Sequence, residues 1–128
     1  MKTIILDTSF ILNAIAAKID FIRELERICL FPYRIAIIDK TLDELDTDIN
    51  RGGKNKINAQ LAKTIITTKN IHVIHTDKQG HVDKLILQNT TPDTAVATMD
   101  KELKTKLKRK NVPIIIIRQR KYVIFSGT

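Results

Sequence analysis

The sequence has few of the residues that mark special architectures. A single cysteine, Cys29, stands among 128 residues, so no internal disulfide can form. Set among apolar residues on an expected helix, it reads as a small core side chain in a reducing compartment. With only 4 glycines and 3 prolines, the chain is neither fibrous nor of low complexity, and 43% hydrophobic residues give it a globular composition. Long apolar runs are missing too. Met1-Lys2-Thr3-Ile4-Ile5-Leu6 meets Asp7 at once, a stretch too short for a signal peptide or a membrane span. These absences predict a cytoplasmic protein with no membrane partner, folded as a single domain over residues 1–128.

Negative charge is also scarce: 14 Asp and Glu face 22 Lys and Arg, a net charge of +8. An excess of cations favours a polyanion, because lysines and arginines that neutralise phosphates release condensed counterions. Nucleic acid is the expected partner. Lysine-rich surfaces also occur where solubility alone is served, so the charge needs a site beside it. Several sites are excluded. Arg51-Gly52-Gly53-Lys54 lacks the glycine spacing and strand-to-helix setting of a phosphate loop, and no dinucleotide fingerprint or nucleophile elbow is present. His72 and His75 are three apart on an expected strand and point to opposite faces, while His81 falls in a turn, so the histidines form no zinc site.

What is present is a regular alternation. The apolar run Thr3 to Leu6 predicts a strand, with Thr8 or Ser9 capping a helix through Ala17. Asp20 is placed to cap a second helix that buries Phe21, Leu25 and Ile28. A strand over Arg34 to Ile38 leads into an acidic helix with Leu42, Leu45 and Ile49 on its apolar stripe. Paired glycines then break the chain before a long helix whose Ile57, Leu61 and Ile65, at i, i+4 and i+8, are expected to face inward. Strands follow at Ile71 to His75, Thr94 to Thr98 and Ile114 to Ile117, separated by helices at Val82 to Leu87 and Lys101 to Lys110. Tyr122 to Phe125 is available as an edge strand. Strands alternating with helices imply right-handed crossovers, hence an α/β fold: a three-layer α/β/α sandwich on a mainly parallel five-stranded sheet.

In such sheets ligands gather outside the carboxyl ends of the strands. Four acids are placed for one site: Asp7 after the first strand, Glu44 on the helix after the second, Asp83 opening a short helix, and Asp100 after the fourth strand. Each could instead cap a helix and bind nothing, a reading to which Asp83 and Asp39 are most open. If the four converge, each close pair repels by roughly 4 kcal/mol at 4 Å in an effective dielectric of 20. A hard divalent ion, Mg2+ or Mn2+, resolves that repulsion and supports phosphodiester hydrolysis.

The order of these motifs resembles the PIN domains, nucleases with an acidic metal site on a parallel sheet. Val96-Ala97-Thr98-Met99-Asp100-Lys101-Glu102-Leu103-Lys104 and Val112-Pro113-Ile114-Ile115-Ile116 look like the ending of archaeal members and of the endonucleases that process small-subunit ribosomal RNA. Ile5-Leu6-Asp7-Thr8-Ser9 and Leu42-Asp43-Glu44-Leu45 match the first two acidic motifs. The resemblance implies catalytic and metal-binding roles for Asp7, Glu44, Asp83 and Asp100, with Thr98 as an orienting hydroxyl. One departure stands out: Val82-Asp83-Lys84-Leu85 carries one acid where the family often has two. Asn111 replaces the usual glycine before Val112-Pro113, a neutral change because Asn tolerates the left-handed conformation. Asp43 is expected to point away from Glu44 by about 100°.

The basic residues assigned to RNA are Lys101, Lys104 and Lys108 on the last helix, Arg51 and Lys54 at the glycine loop, and Arg118 and Arg120 after the fifth strand. Function follows as cleavage of single-stranded or loop RNA, with a place in ribosomal RNA processing implied by the C-terminal motif. The same fold also serves toxin ribonucleases paired with an antitoxin, and a non-catalytic RNA-binding or assembly module is the alternative of another class. Expected partners are RNA, then a second copy of the chain, ribosome-assembly factors or an antitoxin. A phospho-receiver domain fits less well, because Asp7 stands alone and Arg118, not lysine, follows the fifth strand.

Overall fold

A computed structural model describes residues 1–127. Its strands are β1 (Lys2–Leu6), β2 (Tyr33–Ile38), β3 (His72–Ile74), β4 (Thr94–Ala97), β5 (Ile114–Arg118) and β6 (Tyr122–Phe125). The helices are α1 (Thr8–Ala16), α2 (Phe21–Ile28), α3 (Asp39–Arg51), α4 (Lys54–Thr68), α5 (Val82–Gln88) and α6 (Lys101–Arg109). They build one six-stranded sheet in the order β3-β2-β1-β4-β5-β6. The first five strands are parallel and β6 returns antiparallel to β5. The expected five-stranded parallel sheet is therefore present with an edge strand added.

Alternating side chains divide the core in two, because successive strand residues point to opposite faces. Ile4, Leu6, Ile37, Ala95, Ala97 and Ile115 pack beneath α1 to α4. Their neighbours Ile5, Ile38, Val96 and Ile114 pack on the other face against Val82, Leu85, Leu103 and Leu107 of α5 and α6. Strands covered on both sides read as continuous apolar runs, which is why their sequences do not alternate with polar residues.

Two local expectations are corrected. Asp7, not Thr8 or Ser9, takes the N-cap position of α1, and its side chain makes no capping hydrogen bond. In α4 the buried residues are Ala59, Ala62 and Ile66, whereas Ile57 is 71% exposed and Leu61 47% exposed. Small side chains let α4 pack close to α1 and α3, since helix separation follows the size of the side chains at the contact. Ile57 and Leu61 are left outside, while Ile65 packs half-buried against the core as expected.

The turn between α3 and α4 depends on its glycines. Gly52 has φ 74° and ψ −162°, and Gly53 has φ 77° and ψ −156°, a region open essentially to glycine alone. A Cβ at either would meet nothing within 4 Å, so conformation rather than space requires the residue. After α6, Asn111 adopts φ 57°, and the N–H of Val112 returns to the Leu107 carbonyl at 3.0 Å, closing the helix in the left-handed manner.

Candidate active site

Strand β1 lies between β2 and β4, so the chain order reverses there and opens a crevice at the carboxyl ends. Leu6 is in register with Ala97, which sets Asp7 and Thr98 side by side as each strand ends. The crevice is a cavity of about 520 Å³ whose acidic lining is Asp7, Glu44, Asp48, Asp83 and Asp100. All four acids expected from the sequence thus reach one pocket. Thr8, Ser9, Thr47, Arg51, His81 and Val82 complete its wall.

Asp7 is the most enclosed of these acids, only 7% exposed. Its Oδ2 accepts the Ser9 hydroxyl at 2.7 Å and the Thr98 hydroxyl at 2.8 Å. Ser9 Oγ in turn accepts the Met99 N–H at 3.1 Å, and Thr98 Oγ1 accepts the Asp100 N–H at 3.0 Å. Two hydroxyls therefore tie the first acid to the segment that carries the last. Burial pushes the Asp7 carboxyl above its ordinary value, against the two hydroxyls, and the charge of Asp100 adds to the rise.

Glu44 is delivered by α3 and held by the Thr8 hydroxyl. Burial also pushes its carboxyl up; the Thr8 bond opposes this, while Asp7 and Asp48 reinforce it. Asp48 is four residues beyond Glu44 and Arg51 seven, so one stripe of α3 presents two acids and then a cation to the pocket. Asp43 faces elsewhere, with its carboxylate 3.2 Å from Lys78 Nζ. Asp100 also caps α6, its Oδ1 accepting the Leu103 N–H at 2.9 Å.

Asp83 reaches the pocket through a clamped loop. Asp39 accepts the Thr76 N–H at 2.8 Å and the Thr76 hydroxyl at 2.7 Å, and Lys40 Nζ donates to the carbonyls of Lys78 and Gly80. The first turn of α3 thereby fixes the segment between β3 and α5. Asp39 is a structural acid and takes no place in the pocket lining.

Of the basic residues assigned from sequence, Arg51 lines this pocket, whereas Lys54, Lys101, Lys104, Lys108, Arg118 and Arg120 do not. Lys101 follows Asp100 directly at the start of α6 and is exposed. Arg120 belongs to two neighbouring cavities. Thr8, Ser9, Thr47, Asp48, His81 and Val82 are the lining residues that sequence reasoning missed. Asp48 was open to detection as the i+4 neighbour of Glu44 and Ser9 as the i+2 neighbour of Asp7; the bond of Thr8 to Glu44 was not, because its partners lie 36 residues apart.

The donor set is made of hard oxygens. No group of three or more His, Cys, Asp or Glu side chains among the described residues forms a ready-made ligand set for one ion. Such a pocket fits a cation that takes one or two carboxylates and fills its remaining positions with water and substrate phosphate, which is the habit of Mg2+. The raised carboxyls of Asp7 and Glu44 agree, since each lacks an ion-pair partner among the described residues.

Comparison with known proteins agrees with the fold. The family described as PIN like domain matches residues 4–120. The chain is 33% identical over 132 residues to ribonuclease VapC4 of Methanocaldococcus jannaschii, covering 99% of this chain and 98% of that protein. Among solved structures it is similar to the PIN domain endonuclease Utp24, with a TM-score of 0.82, 23% identity, and coverage of 98% of this chain and 92% of the other. A domain of a functionally unknown protein from Methanocaldococcus jannaschii also matches, with a TM-score of 0.65, 16% identity and 92% of each chain covered. At these identities the two structures speak for the fold.

Proposed function

This chain belongs to the PIN-like domain family, and from that premise we propose that it is a divalent-metal-dependent endoribonuclease that hydrolyses single-stranded or loop RNA. The observation that carries the proposal is Asp7. It occupies a helix N-cap but makes no cap bond, and its buried carboxylate, oriented by Ser9 and Thr98, joins four other acids at the sheet's switch point.

In this reading one or two of Asp7, Glu44, Asp83 and Asp100 would bind Mg2+ or Mn2+ directly and the others through its water, with Asp48 beside them. When bound, the ion neutralises charge on phosphoryl oxygens and activates water for attack. Thr98 and Ser9 keep the Asp7 carboxylate in one orientation, and Thr8 does the same for Glu44. Arg51, alone of the assigned cations, enters the pocket wall and would hold a phosphate there. Water oxygen attacks phosphorus, the bond to the 3′ oxygen breaks, and that oxygen takes up a proton, leaving 5′-phosphate and 3′-hydroxyl ends.

The role in the cell has two readings. Processing of ribosomal RNA follows from the C-terminal motif, whose resemblance spans Val96 to Ile116. The action of a toxin neutralised by an antitoxin partner is favoured by the ribonuclease VapC4 relative, which matches along nearly its whole length.

Cleavage of labelled single-stranded RNA with Mn2+, Mg2+ or EDTA tests the common proposal, comparing the wild type with Asp7→Asn and Asp100→Asn purified identically. Metal-dependent cutting lost in both variants is expected. Equal activity in all three proteins, or products ending in cyclic phosphate, would overturn the mechanism. Tight RNA binding without cleavage would instead identify a binding module.

A further inference from the structure

The acidic pocket repels the polymer it is proposed to cut, so most of the affinity for RNA must come from elsewhere on the surface. One face of α1 leads away from it. Ser9 lines the acidic pocket; Asn13, Ala16 and Ala17 follow at i+4, i+7 and i+8, the spacing of a single helical stripe. Asn13 Nδ2 donates to the Ser9 carbonyl at 2.7 Å, and Met99, whose N–H reaches Ser9 Oγ, borders the same stripe. Asn13, Ala16, Ala17 and Met99 then line a second cavity of about 210 Å³ that also touches Gln119 and Arg120. The small side chains of Ala16 and Ala17 leave its floor low.

This second cavity shares Ala17 and Arg120 with a third, of about 340 Å³, whose charged wall is Lys18, Arg23, Arg120 and Lys121 with Asp20 and Glu24. The two acids are already engaged. Asp20 caps α2 by accepting the Arg23 N–H at 3.2 Å, and Glu24 accepts from Arg27 and from the Val123 N–H. The four cations are all exposed, and among the described residues none of their side chains forms an ion pair or a hydrogen bond to another group. Gln119 and Arg120 have φ 55° and 54°, and the Lys121 N–H closes on the Arg118 carbonyl at 3.0 Å. This tight β5-β6 turn therefore presents Arg120 and Lys121 from a fixed backbone.

We infer that the α1 stripe Ser9-Asn13-Ala16-Ala17 carries a single RNA strand out of the acidic pocket to a phosphate grip formed by Lys18, Arg23, Arg120 and Lys121. The inference rests on the ribonuclease reading and adds a path to it. Ser9 to Ala17 spans about 12 Å at 1.5 Å per residue, so the grip holds phosphates beyond the scissile one. Substrates long enough to reach it gain affinity; a trinucleotide confined to the pocket does not.

The test compares K18Q/R23Q/R120Q/K121Q with the charge-matched control K2Q/R34Q/K69Q/K110Q, whose residues lie near the opposite, amino ends of the parallel strands. Binding of fluorescein-labelled oligouridylate is followed by anisotropy in EDTA over a range of salt. The grip variant should bind about tenfold more weakly or worse. Its plot of log affinity against log salt should become shallower by roughly 2 to 3, as expected when up to four phosphate contacts to a single strand are lost. The control should match the wild type in both affinity and slope. R120Q/K121Q, confined to the exposed turn, should move in the same direction by a smaller amount even if the fourfold variant folds poorly. Grip variants that bind like the control would overturn the path and leave the nuclease reading standing. A wild type that binds the oligonucleotide through the grip but never cleaves it would do the reverse.

Discussion

The hydroxyl of Thr98 donates to Asp7 Oδ2 at 2.8 Å, joining residues 91 positions apart in the chain. The bond exists because β1 and β4 are parallel neighbours whose ends coincide, with Leu6 opposite Ala97. Thr98 is fully buried and also accepts the Asp100 N–H, so one oxygen relates the first and last acids of the pocket.

Replacing Thr98 by valine keeps the shape but removes both interactions. The buried carboxylate of Asp7 and the N–H of Asp100 each lose a partner, at a cost of about 1–3 kcal/mol in stability. Affinity for Mn2+ should fall about 10- to 100-fold, the usual effect of losing a group that orients a ligand. Thr98→Ser should recover most of both. Urea denaturation and calorimetric titration with Mn2+ measure the two effects separately, and a valine variant with unaltered metal affinity would contradict the orienting role.

Asp7→Asn should separate stability from function. A carboxyl raised by burial favours its protonated form in the folded state, so with no cation present its ionisation at neutral pH opposes folding, and the opposition fades as pH falls through its folded value. The amide is neutral and still offers an oxygen to Ser9 and Thr98. In EDTA at neutral pH the variant should therefore melt at least as high as the wild type, by up to several degrees for each 1 kcal/mol relieved. RNA cleavage should be abolished. A variant that melts well below the wild type in EDTA would show that Asp7 stabilises the fold.

Asp39 carries the opposite sign. Burial pushes its carboxyl up, but the Thr76 N–H and hydroxyl and the Lys40 N–H outweigh that and hold it below the ordinary 3.8, with Lys78 assisting. Its stabilisation is thus complete above that ordinary value and is lost as pH falls further, through the folded value. Asp39→Asn should lower stability at neutral pH by about 1.5–3 kcal/mol, the worth of hydrogen bonds to a charged group. The difference from wild type should shrink at the acid end of a pH series of denaturation curves. A constant difference across that range would rule out the charged form as the source. Because the Asp39 clamp fixes the loop ahead of Asp83, limited proteolysis should cut the variant between residues 76 and 81 sooner than the wild type.

Two stripes of α4 offer a direct check on which one carries the packing. Ile57→Gln and Leu61→Gln, on the exposed stripe, should change stability by no more than about 0.5 kcal/mol, as surface substitutions do. Ala62→Leu, at a fully buried site, should cost about 1–3 kcal/mol by overpacking. Chemical denaturation of the three variants checks the assignment, and a large loss at Ile57 would reverse it.

Much of this arrangement is legible without coordinates. The apolar runs and the alternation of strand and helix specify the parallel sheet because each strand must be covered on both faces. Because the strands run parallel, the residues that follow β1 and β4, Asp7 and Asp100 among them, lie at the same edge. Glu44 follows from its motif, and the left-handed turn at Asn111 follows from the end of α6. Side-chain periodicity, by contrast, did not choose between the two stripes of α4. Ile57, Leu61 and Ile65 are the more hydrophobic set, yet only Ile65 of them packs against the core, and the close approach of α4 to α1 and α3 buried the smaller set, Ala59 and Ala62 with Ile66.

The amino-acid sequence by itself determined the order of elements, the acids at the strand ends and the excess of positive charge, because these depend on local pattern and composition. The tertiary structure alone decided which groups meet. It brought Thr98 onto Asp7, joined Thr8 to Glu44, committed Asp39 to Thr76, and set the β5-β6 turn beside α1. Contacts of this kind join residues remote in the chain. Their partners are set by strand register and helix packing, which no short stretch of sequence contains.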